Sequence, residues 1–425
     1  MKSHLIFVLC LFTAIAGHAQ TFEHYFENRT LRLDYLFSGD AARQSIYLSE
    51  MSVLPSWAGR RHRLNQLPLT GNGQITVRDV KSRQTLYVTS FSSLFQEWIA
   101  TDEARTIHRG FENSYLVPFP LHPVEIEVTL CNARHEVTAR LTHTVDPKDI
   151  LIRRRGLSHI TPYRSLLHSG STDKCIDIAI LAEGYKPAEA GVFYQDAERA
   201  VAALFSYSPF KEHRNRFNVV AVMSPSEDSN VSIPKEGVWR STAFGSHFST
   251  FYSDRYLTTQ KVYAIHNALA GIDYEHIIIL ANSSEYGGGG IYNAYTLSTA
   301  HHSTFKEVVV HEFGHAFGGL ADEYFYENDF NSDTYPQDVE PWEPNITTLV
   351  DFGSKWKDML KQGTPIPTPV SEKRKYPLGV YEGGGYSFKG VYRPADECRM
   401  RNNTYPTFCP ACERGIKRII EFYSE

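Results

Sequence analysis

The sequence predicts a multidomain α+β chain, an N-terminal β-sandwich followed by an α/β domain, and three observations lead there. Residues 21–145 fall into short runs that alternate apolar and polar side chains and are rich in Val, Thr, Ile and Tyr, the period-two pattern of half-buried strands. After Lys174 the texture changes to near-continuous apolar runs alternating with helical periodicity, as in α/β units whose strands are covered on both faces. Between the two, residues 151–173 carry charge, Pro and Gly without sustained periodicity. That stretch reads as the linker, which sets the domains at 20–150 and 174–425. A chain of 425 residues is long for one core, which agrees with such a division.

Residues 1–19 are set apart first. Lys2, the apolar run from Leu5 to Ala16 and the small residues Gly17 and Ala19 form an export signal, with cleavage expected near Gln20. The mature protein is expected to be secreted, periplasmic or on the cell surface, and Cys10 leaves with the signal. In the first domain, "LRLDYLF", "QITVRDV", "QTLYVTSF", "VEIEVTLC" and "EVTARLTHTV" are the strand candidates, and several such strands separated by turn residues argue for a sandwich. In the second, "CIDIAILAEGY" reads as a buried strand, residues 187–206 as a helix opened by Pro187, and "FNVVAVMS" as another buried strand. A helix is expected over about 254–270, then the strand "HIIIL" at 276–280. The run "EYGGGGIYNAYTLST" follows, where glycines in a sheet mark close approach of another backbone. Finally "TFKEVVVHEFGHAF" reads as a helix ended by Gly318 and Gly319.

Charge and composition exclude some classes of partner. A net charge of −5 with mixed signs gives no electrostatic case for nucleic acid or an anionic membrane surface. The basic runs "RRHR" at 60–63 and "RRR" at 153–155 are short and read as solvated surface or linker. Past the signal, no stretch approaches the roughly 18 apolar residues of a membrane span. Five cysteines remain in the mature chain: Cys131, Cys175, Cys398, Cys409 and Cys412. In an oxidising compartment some of these are expected to pair, and the odd count leaves at least one free.

The chemistry concentrates in "VVVHEFGHAFGGLADEY", residues 308–324. At about 100° per residue, His311 and His315 lie about 40° apart around a helix, so both imidazoles leave from one face and converge on one point. Neutral imidazole nitrogen suits Zn²⁺, and Glu312 beside them suits the base that takes a proton from a water. Val308 to Val310 bury the start of the helix, Gly314 permits close approach between the histidines, and the glycine pair turns the chain back just before Asp322 and Glu323. One catalytic zinc ion is expected, with Glu312 as the catalytic residue.

"HEFGHAFGG" resembles the metzincin zinc peptidases, and together with "EYGGGGIYN" upstream and "CRM…FCPAC" downstream it resembles the immunoglobulin A metallopeptidase family. The resemblance implies an N-terminal β domain joined to a metzincin-like catalytic domain with a mixed sheet, and it covers nearly the whole mature chain. In metzincins a third ligand follows the helix-ending glycine by three residues; counted from Gly318 that position is Ala321, which cannot ligate. Counted from Gly319 it is Asp322, whose carboxylate can. The expected ligand set is His311, His315 and Asp322, with Glu323 as the alternative third ligand. Met400 is implied as the methionine beneath the metal. A disulfide from Cys398 to Cys409 or Cys412 would tie the loop carrying it, while "CPAC" also has the spacing of a thiol redox centre or half a zinc knuckle. Tyr324 and Tyr405 are candidate hydrogen-bond donors to an oxyanion.

The resemblance also places "YGGGGIYNAYTLS" at the sheet edge bordering the cleft. A protein or peptide substrate is expected to lie extended along this edge between Gly287 and Asn293, since an open edge offers unpaired backbone groups. The functional expectation is an exported zinc endopeptidase acting on extracellular proteins, host glycoproteins or immunoglobulin among them. The competing readings are an inactive surface protein that binds a glycan or protein, and a zinc amidase acting on cell-wall peptides.

Overall fold

Strand-forming sequence in the first domain folds into two antiparallel sheets. The computed structural model describes residues 21–325 and 334–424, and the export signal read over 1–19 lies outside them. In chain order the first domain contains α1 (Phe22–Tyr25), β1 (Phe26–Gly39), β2 (Gln44–Leu54), β3 (Gly73–Asp79), β4 (Thr85–Phe91), α2 (Leu94–Trp98), β5 (Arg109–Pro120), β6 (Val124–Cys131) and β7 (Val137–Val145). One sheet has the order β5-β1-β2 and the other β4-β3-β6-β7. Along β6 the sides alternate strictly, with Val124, Ile126, Val128 and Leu130 buried and the residues between them half-buried. Rings close the space between the sheets: Phe37 of β1 stacks on Phe91 of β4, and Tyr115 of β5 lies 4.2 Å from Phe91 between centroids.

Two strands, β2 and β5, fall where no motif was singled out. β5 carries Pro118 and Pro120, which blunt a strand pattern, and β2 buries only Ile46 among its first eight residues. β1 departs from simple alternation for a different reason. Arg32 and Asp34 are buried on its outer face, where Arg32 pairs with Asp34 at 2.7 Å and donates to Asn267 Oδ1 at 2.8 Å in the second domain. The first domain therefore has its outer face covered there, which takes a charged pair out of water only because its hydrogen bonds are filled. Arg60, read as surface, is also buried: it donates to the carbonyls of Leu64 and Gln66 and lies over the Tyr87 and Phe422 rings. Its long stem and planar head serve as packing between the first domain and the C-terminal helix.

Residues 151–173 give one strand to each domain: β8 (Arg153–Arg154) pairs with β2, and β9 (Tyr163–Leu167) becomes the edge of the second sheet. The second domain continues with β10 (Ile176–Glu183), α3 (Ala190–Leu204), β11 (Phe217–Val222), α4 (Val262–Ala268), β12 (His276–Ala281), β13 (Gly288–Ile291), β14 (Tyr295–Thr299), α5 (Phe305–Ala316), β15 (Tyr381–Gly384), β16 (Ser387–Arg393) and α6 (Pro410–Ser424). Its main sheet has the order β13-β14-β12-β10-β11-β9 and is mixed, with β10 parallel to both neighbours and the two edge strands antiparallel. All eight residues of β10 are buried, as its apolar run requires of a strand covered on both faces. α4 is shorter than the helix expected over 254–270. Residues before it are taken into irregular pairing instead, with Tyr256 bridging to Gly288 and Thr258 to His247.

Candidate metal centre

α5 is amphipathic in a particular sense: Val309, Val310 and Phe313 enter the core of the domain, while His311 and His315 leave from a face that meets the cleft. The helix ends through its glycine pair. Gly318 keeps a helical bond to Gly314 O, and Gly319 turns left-handed at φ +60°, where a side chain would be strained and would strike Leu69 of the first domain. The chain then reverses and delivers Asp322 to the histidines. Because the left-handed residue is the second glycine, the residue that reaches the histidines is Asp322, one later than a count from Gly318 gives.

His311 Nε2 and His315 Nε2 stand 3.0 Å apart, and Asp322 Oδ1 lies 3.1 Å from the first and 3.3 Å from the second. Each histidine donates Nδ1–H to a carbonyl that can only accept, His311 to Arg399 O at 3.0 Å and His315 to Leu320 O at 2.6 Å. In the neutral rings both Nε2 atoms therefore carry lone pairs, and these face each other and a carboxylate. Such a set is repulsive without a cation between its members. Ligands at 2.0–2.1 Å from a tetrahedral zinc stand about 3.3 Å apart, so the spacing and the donor chemistry fit that ion.

The electrostatics point the same way. Burial opposes a charge on His315, yet the Asp322 carboxylate and Glu312 push its pKa up to about 9. Burial works against ionisation of Asp322 too, and the two histidines outweigh it, holding its pKa well below the usual range. The cluster thus draws positive charge. Asp322 is aimed by its other oxygen, which accepts from Tyr386 OH at 2.5 Å. Tyr386 sits with Gly385 in the tight β15–β16 turn, both at positive φ, and Gly385 N–H and Tyr386 N–H bond the carbonyls of Asp322 and Tyr324.

Glu312 is half-buried beside the histidines, and burial raises its pKa, with the histidines pulling it back. Gly288 and Gly290 of β13 lie against it: a Cβ at Gly288 would come within 3.0 Å of Glu312 Oε1, and one at Gly290 within 2.2 Å of Glu312 O. On the other face, Gly287 and Gly289 would meet Phe248 and Tyr256. The space left by the glycine run is thus filled by this chain's own helix and loop, which is what brings β13 so near α5.

Glu323, the alternative ligand, points away. It is fully buried, accepts from Asn345 Nδ2 at 2.9 Å, and lies among Cys398, Cys409 and Cys412. Asn345 holds the two acids apart, because its amide also exchanges bonds with both backbone groups of Ala321. Met400 lies beneath the helix, with its sulfur 2.9 Å from where a Cβ on Gly314 would sit. Tyr324 packs edge-on against Tyr386 and accepts a bond from Arg255, whereas Tyr405 lies in the 402–405 turn. Two contributors carried no sequence signal, Tyr386 and Glu97. Glu97 comes from α2 of the first domain, is exposed at the rim and accepts from Tyr256 OH; crowding in the cleft and the Glu312 and Asp322 charges push its pKa up, against that bond and His315. A separate cavity between the domains, lined by Tyr115, His266, Tyr274 and Glu275, contains none of these donor atoms.

Two imidazoles and a carboxylate thus meet at one point, with a second carboxylate, Glu312, beside them. The family model described as IgA Peptidase M64 matches residues 165–377 and 371–420, and the model of the Peptidase M64 N-terminus matches 21–142. The chain belongs to the IgA peptidase M64 family, as the motifs around His311 and Cys398 led us to expect, and it is a peptidase by that membership. No curated protein matches it. No helix among the described residues is long and apolar enough to cross a membrane.

Proposed function

We propose that this protein is an exported, zinc-dependent endopeptidase with a metzincin-like catalytic domain, and that it hydrolyses peptide bonds of extracellular proteins. The observation that carries the reading is the convergence of His311 Nε2, His315 Nε2 and Asp322 Oδ1 within 3.0–3.3 Å of one another beside a half-buried Glu312. These three residues would hold one zinc ion, which supplies Lewis acidity and brings the pKa of water to about 7. Glu312 takes the proton of the attacking water and passes it to the leaving amine, a task suited to a carboxylate whose pKa is raised by burial. The carbonyls of Arg399 and Leu320 fix the tautomer of each imidazole, and Tyr386 fixes the carboxylate. The substrate lies extended along β13, between Gly287 and Asn293, where it would displace the bridge that Tyr256 and Leu257 make to Gly288, and Glu97 and Tyr256 complete the rim.

The test is digestion of a peptide library by the mature chain. Cleavage is expected to stop with a chelator, return with zinc, and fall by about 10²–10⁴-fold in Glu312→Gln at unchanged zinc content. Full cleavage by Glu312→Gln would overturn the assignment of the base. Cleavage of wall fragments alone would favour an amidase instead, and no cleavage of any substrate by the zinc-loaded chain would favour a binding protein. Immunoglobulin enters through the family's name, and the library reports whether its sequences are preferred.

A further inference from the structure

Behind Asp322 the next residue enters a different cluster. We propose that Cys398, Cys409, Cys412 and Glu323 form a second metal site, which binds a structural zinc ion and fastens the turn after α5 to the Met400 loop and to the start of α6. The four donor atoms lie within 4.8 Å of one another. Glu323, Cys398 and Cys412 are 0% exposed and Cys409 is 3% exposed. Three sulfurs and one carboxylate oxygen is a closed, four-donor set of the kind structural zinc takes.

Burial pushes the Cys398 and Cys412 thiols up, and backbone donors and a helix terminus oppose it. Cys398 Sγ accepts two backbone N–H groups, from Cys409 at 3.2 Å and from Met400 at 3.5 Å. Cys409 immediately precedes α6 and Cys412 lies in its first turn, where the helix dipole favours thiolate. Glu323 Oε1 accepts from Asn345 Nδ2 at 2.9 Å and from the Cys412 thiol at 3.0 Å, while Glu323 Oε2 is buried with no hydrogen-bond partner among the described residues. A sealed carboxylate oxygen without a partner is costly, and a cation ligand removes that cost.

The competing chemistry is a disulfide between Cys398 and Cys412, whose sulfurs are 3.7 Å apart. It would use two sulfurs and leave the Cys409 thiol and the Glu323 oxygen buried without a role. Zinc engages all four donors. On binding, the three thiols each lose a proton to solvent and form sulfur–metal bonds, with no change of oxidation state, so affinity falls as pH falls. Two of the anchors sit next to the catalytic machinery. Glu323 follows Asp322, and Cys398 precedes Arg399, whose carbonyl holds His311.

The test compares metal content and X-ray absorption of the mature chain with those of a variant carrying His311→Ala and His315→Ala. Two zinc ions per chain are expected in the first and one in the second, the remaining ion surrounded by sulfur at about 2.3 Å. In a chain carrying Cys409→Ser and Cys412→Ser, the sulfur scattering is expected to vanish. A double-histidine variant with no zinc, or zinc without sulfur neighbours in every form, would overturn the proposal. So would alkylation and mass measurement of the unfolded, unreduced chain showing two of these cysteines joined. The donors are separate from those of the catalytic ion, so either site can fail without the other.

Discussion

Two clusters grow from adjacent residues and face opposite ways. Asp322 joins His311 and His315 in a site that opens to the cleft, where the His315 side chain is 16% exposed. Glu323 joins three cysteines in a site with almost no exposure. Catalytic zinc sites leave a coordination position for water and substrate, whereas structural ones are filled and closed. The difference lies in the donors as well as in exposure: imidazole and carboxylate leave a Lewis acid strong, and thiolate softens it. On the reading proposed here, one short turn, shaped by Gly319 and held by Asn345, decides which acid does chemistry and which gives support.

The largest expected effect lies on the open side alone. Glu312→Gln should lower peptide cleavage by about 10²–10⁴-fold while leaving zinc content and melting temperature near those of the parent chain, since it removes a base and neither ligand nor packing. Steady-state kinetics with zinc analysis checks this. Asn345→Ala should damage both sides together, because one amide bonds Ala321 twice and Glu323 once. Losing these buried bonds should cost about 2–4 kcal/mol in stability, read by denaturant unfolding, and should lower zinc content. An effect on one cluster only would break the account of a shared turn.

Tyr386→Phe acts on the open site through its orientation. Deleting the bond to Asp322 Oδ2 should weaken zinc affinity by about 10–100-fold in a competition titration, with little change in melting temperature. Smallest is the effect of pH. With Glu312 as the proposed base, activity should be full above its pKa, which burial raises, and be lost as pH falls through it, at a pH above that of an ordinary glutamate. Glu97 adds negative charge nearby, so Glu97→Gln should move this acid limb to lower pH by a fraction of a unit. A shift to higher pH would mean that Glu97 does not act on the base through its charge.

Local pattern made some of this legible and distance concealed the rest. The spacing of His311, Glu312 and His315 is a property of one helix, so period alone placed them, and the glycine pair allowed Asp322 to be counted. β10, β11 and β12 were visible as apolar runs because strands buried on both faces need no alternation. β2 and β5 were obscured by mixed exposure and proline, and α4 lost its first turns to pairing of Tyr256 with Gly288, a contact between residues far apart in sequence. α6 went unread, because attention there went to the spacing of Cys409 and Cys412 rather than to the apolar face behind them. Tyr386 and Glu97 were silent because each reaches the site by a tertiary contact, from a hairpin turn and from the other domain. Arg60 misled because a basic run is normally solvated, and only the Tyr87 and Phe422 rings reveal it as packing.

The most direct measurement is a crystal of the mature chain with diffraction recorded on both sides of the zinc absorption edge. The account predicts an anomalous peak bounded by His311 Nε2, His315 Nε2 and Asp322 Oδ1. A crystal grown with zinc that shows no peak there, or imidazoles turned away from each other with Glu323 in place of Asp322, would contradict it.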